Sequence, residues 1–178
     1  LTIVNGEYFI DFEKLSSNLS GKEKILLFCS PHNPGGKIWS TDELKKIATF
    51  CKEKDLILIS DEIHNDLIYP GNTHIMYPKA VPEVSDRLVV MVSSSKTFNI
   101  AGGLMGNVII EDPKLRRKFK AEHESIGTSP NLFGMKVAES AYLKGEDWLI
   151  ALMAYLDKNR ILFDKGVKKI GGLRSMKL

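Results

Sequence analysis

The 178-residue sequence contains only two cysteines, Cys29 and Cys51, and neither belongs to a paired-cysteine or cysteine–histidine motif. This scarcity excludes a disulfide-rich secreted fold and a cysteine-based zinc site, so we expect a reducing cytoplasmic environment and no bound metal. No apolar run approaches the roughly 20 residues that span a bilayer, and the amino-terminal residues lack the pattern of a secretory signal. We therefore expect no membrane partner.

Charge of one sign is also scarce. Lysine and arginine number 25 against 22 aspartates and glutamates, which gives a net charge of +3. This excess is too small and too dispersed to predict a nucleic-acid partner. Hydrophobic residues make up 43% of the chain and charged residues 26%, a balance typical of a globular protein with a packed core.

Apolar runs alternate with helical patterns in the first two thirds of the chain. The run from Ile25 to Ser30 is almost continuous and predicts a strand buried on both faces. After it, Ser40-Thr41-Asp42-Glu43 forms a capping box that predicts the start of an amphipathic helix, which should end near Lys54. Further strands are predicted from Leu56 to Ser60, Arg87 to Ser93 and Asn107 to Ile110.

A strand–helix–strand order with apolar strands predicts an α/β fold with a mostly parallel sheet and flanking helices. We predict one domain, with an α/β part over residues 1–111 that carries the site and a helical part over residues 112–178. The chain does not begin with Met and opens within a predicted strand and turn. We therefore expect a piece of a longer protein.

Unusual polar clusters follow three of the predicted strands. They are Ser30-Pro31-His32-Asn33-Pro34, Asp61-Glu62-Ile63-His64 and Ser93-Ser94-Ser95-Lys96. Ligands of open α/β sheets bind beyond the carboxyl ends of the strands, so these clusters are the candidates for chemistry.

The residue types in these clusters suit pyridoxal phosphate. A lysine bonds covalently to the cofactor aldehyde and later acts as the base at the substrate α-carbon. A carboxylate keeps the pyridine nitrogen protonated, an amide donates to the ring hydroxyl, and serine hydroxyls suit phosphate oxygens. Lys96, Asp61, Asn33 and the serines supply these groups.

Four segments together resemble the class I and II aminotransferase superfamily of fold-type-I pyridoxal phosphate enzymes, and within it the carbon–sulfur β-lyase branch of the cystalysin and cystathionine β-lyase type. The matching segments are Cys29-Ser30-Pro31-His32-Asn33-Pro34, Ser60-Asp61-Glu62-Ile63-His64, Ser95-Lys96-Thr97-Phe98-Asn99-Ile100-Ala101-Gly102 and Gly145-Glu146-Asp147-Trp148-Leu149. They span nearly the whole chain in the family's order.

The resemblance implies a role for six residues in holding the cofactor. These are Lys96, Asn33, Asp61, His64, Ser93 and Ser95. Lys96 would be the catalytic lysine, His64 would lie near the ring hydroxyl where many aminotransferases have a tyrosine, and the two serines would contact the phosphate. Leu104 stands where typical aminotransferases have a phosphate-binding arginine, and this departure favours the lyase branch.

The resemblance also implies that parts of the enzyme lie outside these residues. Family members are about twice as long, and their remaining parts supply a phosphate cradle, a ring stacked on the cofactor, and an arginine for the substrate carboxylate. The chain would then be the central part of an aminotransferase-like large domain that leads towards a small domain. By the same resemblance, the full-length parent would be a homodimer.

The implied activity is β-elimination on cystathionine, cysteine or a cysteine S-conjugate, giving a thiol, pyruvate and ammonia. Transamination is the first alternative, and an inactive truncated chain with a binding or regulatory role is the second. Four of the six site residues also have an ordinary structural explanation. Lys96 suits a solvated loop, Asp61 a cap, Asn33 a turn before proline, and His64 a satisfied structural histidine.

Overall fold

A computed structural model describes residues 1–176 of the chain. The strands are β1 (Thr2–Val4), β2 (Glu7–Phe9), β3 (Ile25–Cys29), β4 (Ile57–Asp61), β5 (Leu88–Val92) and β6 (Asn107–Ile109). The helices are α1 (Phe12–Ser17), α2 (Thr41–Glu53), α3 (Tyr77–Ala80), α4 (Ser94–Thr97), α5 (Pro113–Ser125), α6 (Leu132–Lys144) and α7 (Glu146–Val167).

The central sheet has the strand order β3-β4-β5-β6. Strands β3, β4 and β5 are parallel, whereas β6 runs antiparallel to β5. The sheet is therefore mostly parallel, and the α/β prediction is confirmed. The first two strands form a separate hairpin, in which Asn5 and Gly6 adopt positive φ values of 52° and 81° at the turn.

Helix α2 connects β3 to β4 and covers one face of the sheet. Its predicted capping box is present, because the Ser40 hydroxyl accepts from the Glu43 backbone N–H while the Glu43 carboxylate accepts from the Ser40 backbone N–H. The Glu43 carboxylate also forms an ion pair of 2.7 Å with Lys37. Leu44, Ile47 and other apolar side chains of α2 are buried in one core cluster with residues of β3, β4 and β5.

The prediction that the first strand is buried on both faces is wrong. Phe28 is buried, but the side chains at Ile25 and Leu27 are 53% and 68% exposed. Successive strand side chains point to opposite faces, and α2 covers only the face that carries Phe28. Since β3 is also an edge strand of the described sheet, an apolar run here does not mean burial on both sides.

The helices after β6 have little core of their own. Helices α5 and α7 contain no buried residue, and in α6 only Gly134 and Ala138 are buried. Within residues 1–176, no helix combines the length and hydropathy needed to cross a bilayer.

Candidate active site at the carboxyl edge of the parallel strands

The parallel strands bring the three predicted polar clusters side by side. In the register of the sheet, Cys29 lies opposite Asp61 and Asp61 lies opposite Met91. Two backbone hydrogen bonds continue this alignment beyond the strands: Ser30 N–H donates to the Asp61 carbonyl at 2.9 Å, and Glu62 N–H donates to the Met91 carbonyl at 2.8 Å. The segments that carry the candidate residues therefore leave the same edge of the sheet.

Asn33 and His64 contact each other although 31 residues separate them. The distance from Asn33 Nδ2 to His64 Nε2 is 3.2 Å. Because an amide nitrogen only donates, Nε2 accepts this bond and the imidazole is neutral in this arrangement. Burial lowers the pKa of His64, and the Lys96 charge lowers it further, while the Asp61 charge acts in the opposite direction.

Asp61 lies half-buried at the end of β4. One carboxylate oxygen, Oδ1, accepts from the backbone N–H of Ile63 at 3.2 Å. This bond agrees with the structural alternative for Asp61, in which its side chain caps the segment after β4. Within residues 1–176, however, Oδ2 accepts no hydrogen bond, so the carboxylate keeps an acceptor for a ligand.

Lys96 lies in α4, one short turn beyond β5. Its side chain is exposed, and its amine forms neither a hydrogen bond nor an ion pair with the described residues. The neighbouring side chain is held firmly: Thr97 is fully buried, and its hydroxyl donates to Asp66 Oδ2 at 2.8 Å. The backbone that carries Lys96 is thus anchored while its amine stays available.

The hydroxyls of Ser93 and Ser95 converge on one acceptor. Both donate to the Met105 carbonyl, at 2.6 Å and 3.2 Å, and Ser95 N–H donates to Ser93 Oγ at 3.1 Å. The structure therefore brings the two serines together beside the start of α4. The adjacent Leu104 adopts a left-handed conformation with φ of 49°, and its side chain is exposed.

Two features near these residues were not predicted from the sequence. Glu62, directly after Asp61, is fully buried and contacts His74. A cleft of about 180 Å³ borders the Asn33–His64 pair, and Tyr69 forms part of its wall. The density of polar residues in Asp61-Glu62-Ile63-His64-Asn65-Asp66 was the available signal for a polar network, but it does not identify the partners.

Comparisons with known proteins place these residues in a family. The sequence matches the aminotransferase class I and II family over residues 3–177. It is 40% identical to cystathionine β-lyase PatB of Bacillus subtilis (strain 168) over 157 residues, which are 87% of this chain and 41% of PatB. It is 34% identical to protein MalY of Escherichia coli (strain K12), covering 85% of this chain and 39% of MalY.

A solved structure gives the same result in three dimensions. Cystalysin from Treponema denticola, whose crystal structure contains a pyridoxal 5′-phosphate cofactor, superposes with a TM-score of 0.86 at 39% identity, covering 91% of this chain and 42% of cystalysin. The chain thus spans about two fifths of the length of the relatives it matches. Because the family match covers almost every residue, the chain belongs to the aminotransferase class I and II family.

Proposed function

We propose that the protein containing this chain is a pyridoxal phosphate-dependent carbon–sulfur β-lyase. The observation that carries the proposal is the convergence of Lys96, Asp61 and the Asn33–His64 pair at one sheet edge. His64 contacts Asn33. The charges of Lys96 and Asp61 both shift the pKa of His64, which supports assigning all four groups to one cofactor site.

The residues present fit pyridoxal phosphate by their chemistry. In the part of the chain that the structure describes, the Lys96 amine and Asp61 Oδ2 make no hydrogen bond. The Asn33–His64 pair offers neutral polar groups for a ring hydroxyl. Ser93 and Ser95 are proposed as phosphate contacts, although both hydroxyls donate to a carbonyl in this structure. When bound, this cofactor supplies an electron-accepting ring conjugated to the substrate α-carbon.

Each side chain then has one task. The Lys96 amine takes the proton from the substrate α-carbon, and Asp61 keeps a proton on the ring nitrogen. Asn33 and His64 would bind the ring hydroxyl and so hold the ring in place. The bonds broken are Cα–H and Cβ–S, the sulfur leaves as a thiolate that takes up a proton, and water then releases pyruvate and ammonia.

The lyase branch is supported by the relatives and by one departure from the aminotransferase pattern. PatB is named a cystathionine β-lyase and is the more similar of the two curated relatives described above. Leu104 stands where the resemblance leads us to expect an arginine in transaminases. We propose cystathionine, cysteine or a cysteine S-conjugate as the substrate.

The wider setting is proposed from the same resemblance. We propose a cytoplasmic homodimer in which residues 1–111 form the part of the large domain that carries the site. Residues 112–178 would lead towards a small domain. The large exposed apolar side chains of α6 and α7, among them Phe133 and Leu162, are compatible with burial against such further parts.

Covalent trapping tests the cofactor assignment. The intact protein is incubated with pyridoxal phosphate, reduced with borohydride and digested, and the modified lysine is identified by mass spectrometry. We expect modification at Lys96, and none there in Lys96→Arg, which keeps the charge but does not form the bond. Lys37, held in an ion pair with Glu43, is an internal comparison. Scattered modification of surface lysines would contradict the assignment.

Product analysis tests the reaction. Release of a thiol with pyruvate and ammonia in equal amounts from cystathionine or an S-conjugate supports the lyase. Formation of a new amino acid from an added keto acid would instead establish transamination. If the intact protein traps the cofactor at Lys96 but turns over neither substrate class, the lyase proposal fails while the cofactor assignment stands.

A further inference from the structure

A completely buried carboxylate lies directly behind the proposed site. Glu62 follows Asp61, and its side chain is 0% exposed. Glu62 is the first residue after β4 and continues the alternation of that strand, because Leu58, Ser60 and Glu62 are buried whereas Asp61 is only half-buried. Burying a carboxylate costs free energy unless hydrogen-bond donors surround it. The donors to Glu62 therefore show which parts of the chain it connects.

Three donors satisfy this carboxylate. Oε1 accepts from the Ser60 hydroxyl and from the Tyr77 backbone N–H, both at 3.0 Å. Oε2 lies 2.8 Å from Nε2 of His74, whose side chain is 4% exposed. The other imidazole nitrogen of His74, Nδ1, has no partner within residues 1–176, so the contact with Glu62 is the only hydrogen bond of that ring there.

Stability alone is a weak reason for such a network. The cost of removing charges from water offsets much of their attraction, and apolar residues of similar volume often hold a core equally well. A hydrogen-bonded network differs from apolar packing in fixing direction, because each bond requires a set distance and angle. The Glu62 contacts therefore point to a role in geometry.

The network closes the base of a loop that carries site residues. Glu62 precedes residues 63–73, whereas His74 and Tyr77 follow them. Within the loop, His64 contacts Asn33, and Asp66 accepts from the hydroxyl of Thr97, the residue after Lys96. A loop fixed at its base and tied at these two points holds His64 in place relative to Lys96.

We propose that Glu62 and His74 are positioning residues, which set the direction of the Asp61 carboxylate and the place of His64 through the closed base of this loop. This inference rests on the proposed function, because Asp61 and His64 matter only if they contact the cofactor. Neither positioning residue touches substrate.

A matched pair of variants isolates the contact. His74→Gln keeps an N–H donor for the Glu62 carboxylate, whereas His74→Leu removes the donor. Since Nδ1 of His74 has no partner among the described residues, neither variant breaks a second hydrogen bond of that side chain there. Asp112→Ala is the control, because it removes the side-chain cap of α5, whose contacts are with the start of its own helix.

The first measurement is amide hydrogen exchange of residues 63–73 in the cofactor-free intact protein. We expect exchange about tenfold faster in His74→Leu, near-normal exchange in His74→Gln, and no change there in Asp112→Ala. If His74→Leu does not fold, His74→Asn replaces it, since its shorter amide does not span the distance to Glu62.

The second measurement uses the cofactor-loaded protein. In His74→Leu we expect kcat to fall about tenfold or more with KM changed less than about twofold, because a displaced group costs alignment rather than binding. We also expect a changed absorption spectrum of the bound cofactor. His74→Gln should restore both properties.

Equal behaviour of His74→Leu, His74→Gln and Asp112→Ala in both measurements would overturn the inference. Faster exchange without any change of spectrum or of kcat would overturn it as well, since the loop would then be held without effect on the site. Failure of the proposed function is separate, because it is detected as absence of cofactor trapping or turnover in the unaltered protein.

Discussion

The hydrogen bond between Thr97 and Asp66 gives a quantitative test of how the Lys96 segment is anchored. Thr97 is 0% exposed, and its hydroxyl donates to Asp66 Oδ2 at 2.8 Å. We consider Thr97→Val, which keeps the shape of the side chain and removes the donor. A hydrogen bond to a charged group contributes about 1.5 to 3 kcal/mol. Asp66 is only partly buried, so we expect a loss at the lower end, about 1.5 kcal/mol.

A double-mutant cycle separates this bond from other effects of the substitutions. The unfolding free energy is measured in urea for Thr97→Val, for Asp66→Ala and for the double variant. We expect a coupling energy of about 1 to 2 kcal/mol between the two sites. Thr97→Ser is the matched control, because it keeps the hydroxyl and loses one methyl group. Because the serine hydroxyl still donates to Asp66, Thr97→Ser should show a coupling energy of about zero with Asp66→Ala.

Tyr142 supplies an independent reporter of the Asp66 charge. Burial raises the pKa of the Tyr142 phenol, and the Asp66 charge raises it further. Asp66→Ala should therefore lower the pKa of Tyr142 towards its ordinary value, whereas Thr97→Val should leave that pKa unchanged.

A coupling energy between Thr97→Val and Asp66→Ala within about 0.3 kcal/mol of zero would refute the anchoring argument, because independent sites are additive to that extent.

Three further outcomes are expected. Ser40→Ala should lower the unfolding free energy by about 1 kcal/mol through loss of the α2 cap, and an unchanged thermal midpoint would contradict the capping geometry. Burial lowers the pKa values of His32 and His64, so the unfolded chain binds more protons than the folded protein. The unfolding free energy should therefore fall as the pH is lowered through about 6.5. A urea midpoint independent of pH would count against this. Burial raises the pKa of Cys51 to about 11 and also raises that of Cys29. Only the half-buried Cys29 should react with a thiol reagent in the folded protein, and prompt labelling of Cys51 would show that the core opens.

Local physics explains which parts of the fold the sequence predicts well. The capping box at Ser40 is a contact between residues three apart, so the start of α2 can be predicted from the sequence alone. The apolar run from Ile25 predicts β3 for the same reason. Its exposure was not predictable, because the position of α2 on only one face of the sheet is a property of the assembled layers.

The N-terminal hairpin also follows from a local signal in the sequence. Asn5-Gly6 is the pair that favours the tight turn between two short strands. The strand and turn predicted at the start of the chain form a hairpin, with strands Thr2–Val4 and Glu7–Phe9.

The grouping of the candidate residues at one sheet edge was predictable as far as strand ends could be aligned. Parallel pairing of β3, β4 and β5 is enough to bring Asn33, Asp61 and Lys96 to one edge. The Glu62–His74 contact was not predictable in this way, because it joins a strand end to a residue 12 positions later in the chain, beyond the intervening loop. Neither residue belongs to a repeating pattern that would indicate the partner.

The position of Glu43 makes the turn that carries Asn33 sensitive to low pH. This carboxylate caps α2 and also pairs with Lys37, and the His32–Lys37 backbone pairing closes the turn that carries Asn33. Partial burial works to raise the pKa of Glu43, but its bonds to Lys37 and Ser40 lower it overall. Protonation there would remove the negative charge that strengthens both connections, so the helix start and the Asn33 turn are expected to loosen together on acidification.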